Sequence, residues 1–221
     1  WSKKRFLQGL ENKFVNSNKL AVFYQSAEKG SIELIKNKKK WITFVGKLNK
    51  AKGYDVFSNA IVKILKKYPQ WKAKVIGDEK REKIQLSHKN ADILGFKKHE
   101  DVIKIFKKSS IAVACSRWEE PFGRTSLEAS ANGCAVIITN RGGLPETVTN
   151  AKILKSLSSK SLEDSLNELI SKKRLRNKLQ HLSIKNFYLT HKFISNLIDN
   201  YRSEKINKIA HFNTKKNLDN L

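Results

Sequence analysis

Apolar positions along this chain follow two rhythms. Trp41–Val45, Ala73–Ile76, Ile111–Cys115 and Ala135–Thr139 are short, continuous, β-prone runs, and Ile93–Gly95 is a shorter one. Between the first two, Tyr54–Lys67 sets Val56, Phe57, Ala60, Ile61, Ile64 and Leu65 on one helical face until Pro69 stops it. Helical spacing returns over Asp101–Lys108, Gly123–Asn132, Leu162–Ile170, Arg174–Asn186 and His191–Ile209. Continuous rather than alternating strands, interleaved with helices, predict an α/β fold: a doubly wound parallel sheet covered on both faces. Ligands of such sheets bind beyond the carboxyl ends of the strands. Gly46, Gly77-Asp78, Gly95-Phe96, Ser116–Gly123 and Asn140–Gly143 fall there. Gly142–Glu146, with Pro145 inside it, reads as a turn opening a further helix.

The first forty residues break the rhythm. Lys3–Phe14 has helical spacing, Leu20–Tyr24 reads as a lone strand, and Ser26–Lys40 is polar. The expected division is therefore 1–38 as the tail of a preceding domain plus a linker, 39–190 as the main domain, and 191–221 as a final helix whose end, 213–221, is frayed. Met is absent even at position 1, so a fragment of something longer is expected.

Composition narrows the classes. The chain has 221 residues and a formal net charge of +25, with 45 Lys+Arg against 20 Asp+Glu. Such charge invites nucleic acid, or anionic lipid at about 1 kcal/mol per basic residue near the surface. Lys, Asn and Ile are overused throughout, however, so most of the charge reads as solvated faces. The densest clusters, Lys36–Lys40 and Lys172–Arg176, lack the interleaved aromatics of a base-stacking platform. No apolar run is long enough to span a membrane, and no secretory h-region follows Trp1–Arg5. Cys115 and Cys134 form no C-x-x-C and read as buried, reduced thiols of a cytoplasmic protein. The five His show no metal-ligand spacing, so no metal site is expected.

The most informative stretch is Arg117–Ala129. A strand, a Pro-Phe-Gly turn and a helix start offer unpaired N–H groups to an anion, and Glu120 and Glu128 bracket that turn. Carboxylates that bind hydroxyls beside a bound phosphate describe a nucleotide sugar. Blander readings compete. Thr125-x-x-Glu128 fits a capping box, and Glu120 can simply complement the helix dipole. Trp118 and Phe96 read as packing residues, with only the Phe96 backbone functional. The adjacent pair Glu119-Glu120 does not suit a glycosidase, whose carboxylates lie across the scissile bond. No G-x-G-x-x-G follows the first strand, which disfavours a dinucleotide cofactor.

Three segments together, Phe44–Gly53, Glu120–Glu128 and Gly133–Glu146, resemble the C-terminal half of a GT-B glycosyltransferase. The type is family 4, which builds bacterial surface polysaccharide and lipopolysaccharide, and the resemblance runs from about Leu20 to Arg202. It implies a Rossmann-like donor-binding domain, with an acceptor-binding half N-terminal to it. It implies that Lys47 and Lys52, after Gly46, hold the donor diphosphate. The family more often has Arg at the first of these positions, and Lys is a point charge without a bidentate fork. By the same resemblance Glu120 accepts from donor-sugar hydroxyls, and backbone N–H groups of Phe122, Gly123, Arg124 and Thr125 meet sugar and phosphate. Glu128 holds the ribose, Gly95-Phe96 reads the nucleobase edge, and Gly142 and Gly143 adjoin the sugar. Arg124 stands where the family often has an apolar residue. The implied reaction moves a hexose-type sugar from a nucleoside-diphosphate donor to a glycan or lipid-linked acceptor. Anomeric configuration is retained, and neither metal nor cofactor is needed. The implied location is cytoplasmic, peripheral at the inner face of the plasma membrane. The competing class is a nonenzymatic basic module that holds nucleic acid or anionic membrane.

Overall fold

The computed structural model describes residues 1–10 and 20–218, with 208–218 as backbone alone. A short helix α1 (Ser2–Gly9) is followed, past the undescribed 11–19, by an irregular segment and a 3₁₀ turn, Ile32–Asn37. The doubly wound part then runs β1 (Lys39–Val45), α2 (Tyr54–Lys67), β2 (Lys72–Ile76), β3 (Ala91–Ile93), α3 (His99–Lys108), β4 (Ser109–Ala114), α4 (Arg124–Ala131), β5 (Ala135–Ile138) and β6 (Lys152–Ile153). Helices α5 (Ser159–Ser171), α6 (Lys173–Lys185) and α7 (His191–Leu218) close the chain. All strand pairs are parallel, in the order β3-β2-β1-β4-β5-β6. Winding therefore reverses between β1 and β4, where a crevice opens beyond the strand ends.

The alternation of side chains along each strand divides the core in two. Ile42, Phe44, Val75, Ile111, Val113 and Ile137 pack against α2 and α5. Ile76, Ala112, Val136 and Ile138 face Val102 and Phe106 of α3 and Ala129 of α4. Both faces of the central strands are thus dry, which is why their sequences are continuous apolar runs. A third, smaller cluster joins Phe122, Leu127 and Ala131 to Ala27, Phe187, Leu189 and Ile194.

Several sequence expectations need correction. Leu20–Tyr24 forms no strand. Val22 and Phe23 are exposed, and the segment beyond them hydrogen-bonds to Leu189 and Ala131 rather than to a sheet edge. An apolar run without a neighbouring ladder does not make a strand. The turn at Gly142 leads only into a single 3₁₀ turn, Leu144–Glu146, and after the irregular residues 147–151 the chain enters β6. That strand is two residues long and leaves no periodic signal. The third strand lies at 91–93 rather than 93–95, since Gly95 already has φ +65°. Helix α1 ends at Gly9, and residues 11–14 of the expected helix lie outside the described residues. At the other end, α7 continues by backbone to Leu218 where fraying was expected, and 219–221 lie outside the described residues. Among the described residues no helix is long and apolar enough to cross a membrane.

The two densest basic clusters contribute to the fold itself. Lys38 is half-buried and donates to the carbonyls of Phe106 and Asn132, 2.8 and 2.6 Å away, at the ends of α3 and α4. Desolvation holds its ammonium below the ordinary lysine range, opposed by the nearby Cys134. Arg176, 9% exposed, donates to Leu169 and Ile170 carbonyls at the end of α5 and stacks over Trp71. Cations at helix carboxyl ends satisfy the orphan carbonyls there.

Candidate functional site

The crevice between β1 and β4 is a cleft of about 400 Å³. Its walls are the ends of those strands (Val45-Gly46 and Ala114), the Glu120–Ser126 turn and helix start, and Leu144. Gly123 begins α4 in the left-handed region, at φ +105°, where a Cβ would lie 2.5 Å from Leu144 Cδ2. Thr125 is consequently inside the helix, not its cap, and no side chain caps this terminus. That removes the capping-box reading of Thr125 and Glu128. The N–H groups of Arg124, Thr125 and Ser126 have no partner among the described residues. They point into the cleft as an open anion site of the kind helix starts provide.

Lys52 and Glu120 meet across the cleft, Nζ to Oε1, at 2.5 Å. Their side chains are 33% and 13% exposed, so the pair sits at the cleft wall rather than in bulk water. Neighbouring loops fix both partners. Asn49 accepts from the Lys52 N–H (3.0 Å) and donates to Glu79 (2.9 Å). Three donors hold the Glu79 carboxyl down to about 2: the Arg81 N–H first, then the Asn49 amide and the Arg81 side chain. Arg117 donates to both oxygens of Asp55 and to the Lys50 carbonyl, each at 2.6 Å. Its guanidinium holds the Asp55 carboxyl below the usual range. The N–H groups of Arg117 and Trp118 and the Ser116 hydroxyl all donate to the Ala51 carbonyl. The loop after β1 is thereby sewn to the loop after β4. Gly53 lies under this seam, since a Cβ there would sit 1.9 Å from the Cys115 carbonyl oxygen.

Seven of the residues expected from sequence line this cleft: Gly46, Lys52, Glu120, Phe122, Gly123, Arg124 and Thr125. Phe122 contributes backbone, because its ring is buried against Tyr24 in the third core cluster. The others lie elsewhere. Lys47 is exposed outside the cleft. Gly95 and Phe96 follow β3, two strands from the crevice. Phe96 is 77% exposed and Trp118 is 60% exposed, so neither is the packing residue its composition suggests. Gly142 and Gly143 sit behind the Glu120 turn. Their N–H groups donate to the Glu119 carboxylate and the Glu120 carbonyl, both at 2.6 Å. A Cβ on Gly142 would be 2.2 Å from the Glu120 carbonyl oxygen, so this pair buttresses the turn. Glu128 lines a second, smaller cavity of about 90 Å³, and Arg124 lines both.

Sequence reasoning missed Asn49, Glu79 and the Asp55–Arg117 pair. Each is polar among many polar residues, and only the return of the chain brings them together. Gln25, from the irregular segment, also lines the cleft. Among the described residues no group of three His, Cys, Asp or Glu side chains is placed to hold a metal ion. Both thiols are buried, and desolvation pushes Cys115 up to about 12, which leaves it inert at neutral pH.

Residues 25–185 match the family model described as glycosyl transferases group 1. The spore coat protein SA of Bacillus subtilis is 30% identical over 158 residues, which is 64% of this chain and 42% of that protein. The lipopolysaccharide core biosynthesis mannosyltransferase LpsB of Rhizobium meliloti is 31% identical over 121 residues, 50% of this chain and 34% of its own length. The chain thus spans less than half of either relative. Among solved structures, Anabaena HepE in complex with UDP-glucose superposes with a TM-score of 0.74 at 18% identity, over 91% of this chain and 61% of that one. At that identity the likeness is one of fold, and it is the doubly wound fold expected from the sequence.

Proposed function

The chain belongs to the glycosyl transferases group 1 family, and we propose that it is the donor-binding half of a nucleotide-sugar-dependent glycosyltransferase of the GT-B, family 4 type. The observation that carries this reading is the cleft at the β1–β4 crevice, with Lys52, Glu120 and the uncapped start of α4 converging on it. The N–H groups of Arg124, Thr125 and Ser126 suit a diphosphate, and Lys52 adds a cation at the same wall. Glu120 has one oxygen on Lys52 and a second for sugar hydroxyls. The nucleotide sugar bound to HepE supports this donor class, and LpsB supports a mannose-like hexose for lipopolysaccharide or polysaccharide.

In this reading the bond between the anomeric carbon and the diphosphate breaks, and charge grows on the departing phosphate. Lys52 and the helix start stabilise it at roughly 1.5–3 kcal/mol per charge-assisted hydrogen bond. The acceptor hydroxyl adds to the same face of the sugar and loses its proton toward the departing phosphate, which retains configuration. No metal or organic cofactor enters the scheme. In this reading 39–190 is the donor domain, 1–38 the tail of an acceptor domain plus a linker, and 191–221 a crossover helix with its tail. The acceptor is a glycan or lipid-linked glycan, met in the cytoplasm at the inner membrane face through peripheral contact with anionic lipid. Lys47, Gly95 and Phe96 lie beyond the cleft lining, past the ends of β1 and β3, and Gly142 and Gly143 act by supporting the Glu120 turn.

A thermal-shift titration with UDP, GDP, ADP and their glucose or mannose conjugates, at low and high salt, tests this. Stabilisation by one nucleotide is expected, with at least a tenfold loss of affinity in Lys52→Ala, on the order of one charge-assisted bond. Absence of any nucleotide response, beside salt-sensitive binding to DNA or anionic vesicles, would overturn the reading in favour of a basic binding module.

A further inference from the structure

Glu128 is held in an unusual way. Its side chain is 7% exposed, and a single oxygen, Oε1, receives both neighbouring donors: Arg124 Nε at 2.6 Å and His99 Nε2 at 2.9 Å. Oε2 accepts no hydrogen bond from any described residue. Arg124 stands one helical turn before Glu128 on α4, while His99 is the first residue of α3. The carboxylate is therefore gripped from two helices, and Glu128 lines the small cavity together with Ser26, Glu28, His99, Arg124 and His191. Arg124 also borders the donor cleft, so the two cavities adjoin at its side chain.

From this geometry we propose that His99 and Arg124 are positioning residues that pin Glu128 by one oxygen, and so make the site selective for a nucleotide with an intact ribose diol. The proposal rests on the donor-binding reading above. An ionised carboxylate is acceptor-only, with room for about four hydrogen bonds. Two of these are spent on Oε1, which fixes the rotamer before any ligand arrives. The free Oε2 then requires a donor, and a sugar hydroxyl supplies one. A ligand that covers this oxygen without offering a hydroxyl strips it of water and leaves it unpaired, a cost that a ribose hydroxyl avoids. Without the pin the carboxylate turns to water or to Arg124 alone, and an analogue lacking hydroxyls is no longer penalised. His99 is exposed through 57% of its side chain, so its replacement leaves the core intact.

The test is calorimetric binding of UDP and of 2′,3′-dideoxy-UDP to the full chain, with GDP and ADP alongside. Wild type should prefer UDP, and Glu128→Gln should lose the preference. His99→Ala and Arg124→Gln should each cut the preference roughly three- to tenfold, the scale of one net hydrogen bond, with little change in melting temperature. His99→Gln, which keeps an N–H of similar reach, should restore it. A preference unchanged in both His99→Ala and Arg124→Gln, yet lost in Glu128→Gln, would overturn the pinning while leaving the donor reading intact. An equal loss for both ligands would also overturn it, because the residues would then act on something other than the ribose. If no nucleotide binds wild type at all, the donor reading falls and the pinning with it.

Discussion

Individual residues in this chain are constrained most tightly around the Glu120 turn. Gly142 lies at φ +56°, against the backbone of Glu119 and Glu120. Alanine there meets a carbonyl oxygen at 2.2 Å in a conformation L-residues disfavour. Gly142→Ala should therefore cost roughly 2–4 kcal/mol in denaturant melts, and should also displace Glu120 and weaken any nucleotide response. A change with the opposite sign is available at Tyr54. Its ring packs with Phe44 and Phe57, but its hydroxyl is buried without a partner. Tyr54→Phe keeps the ring and removes the unsatisfied oxygen, so the melting temperature should stay level or rise, by up to about 1–3 kcal/mol of stability. A clear fall would mean that a buried water pairs with that hydroxyl.

Elements depend on how their ends are finished. Lys38 precedes β1, yet its ammonium closes α3 and α4 from below, on the Phe106 and Asn132 carbonyls. Lys38→Met keeps the aliphatic stem and deletes the donors. The two carbonyls then lose their partner at roughly 1–3 kcal/mol each if they stay dry. The expected result is a lower urea midpoint with early loss of amide protection in α3 and α4. The helices themselves are legible in sequence: α2 starts and stops where its apolar face and Pro69 say it should. The short strands β3 and β6 are not, because two or three residues carry no period. Leu20–Tyr24 has the composition of a strand but no ladder to join. What finishes α3 and α4 is also invisible in sequence, since Lys38 is one of four lysines within Lys36–Lys40.

Across the whole molecule, electrostatics set the response to pH and salt. Glu79, Asp55 and Glu168 all hold folded-state protons less tightly than the unfolded chain does, because hydrogen-bond donors surround their carboxylates. Between the unfolded and folded values the unfolded state binds more protons, so stability rises with pH there. That contribution is present above the ordinary 4.5 of Glu79 and is lost as pH falls toward its folded value of about 2. Melts across this range should show the loss, and Glu79→Gln should flatten its steepest part. A net charge of +25 adds self-repulsion, which salt screens, so the melting temperature at neutral pH should rise with salt. A fall with salt would show that the internal ion pairs outweigh that repulsion.

By itself the sequence determined the fold class, the order of the main strands and helices, and the Glu120–Thr125 turn as the place to look. These follow from local facts: continuous apolar runs, helical periodicity, and glycines at strand ends. Tertiary structure alone decided which candidates share a cleft. It drew Lys52 onto Glu120, 68 residues apart. It put His99 and Arg124 on one oxygen of Glu128 and gave Asn49 and Glu79 their place behind Lys52. It also set Gly142 and Gly143 behind the turn rather than in the cleft. The physical reason is that a charged or polar side chain takes its role from the partner it finds. In a parallel sheet those partners arrive from separate crossovers, at distances along the chain that no local pattern encodes.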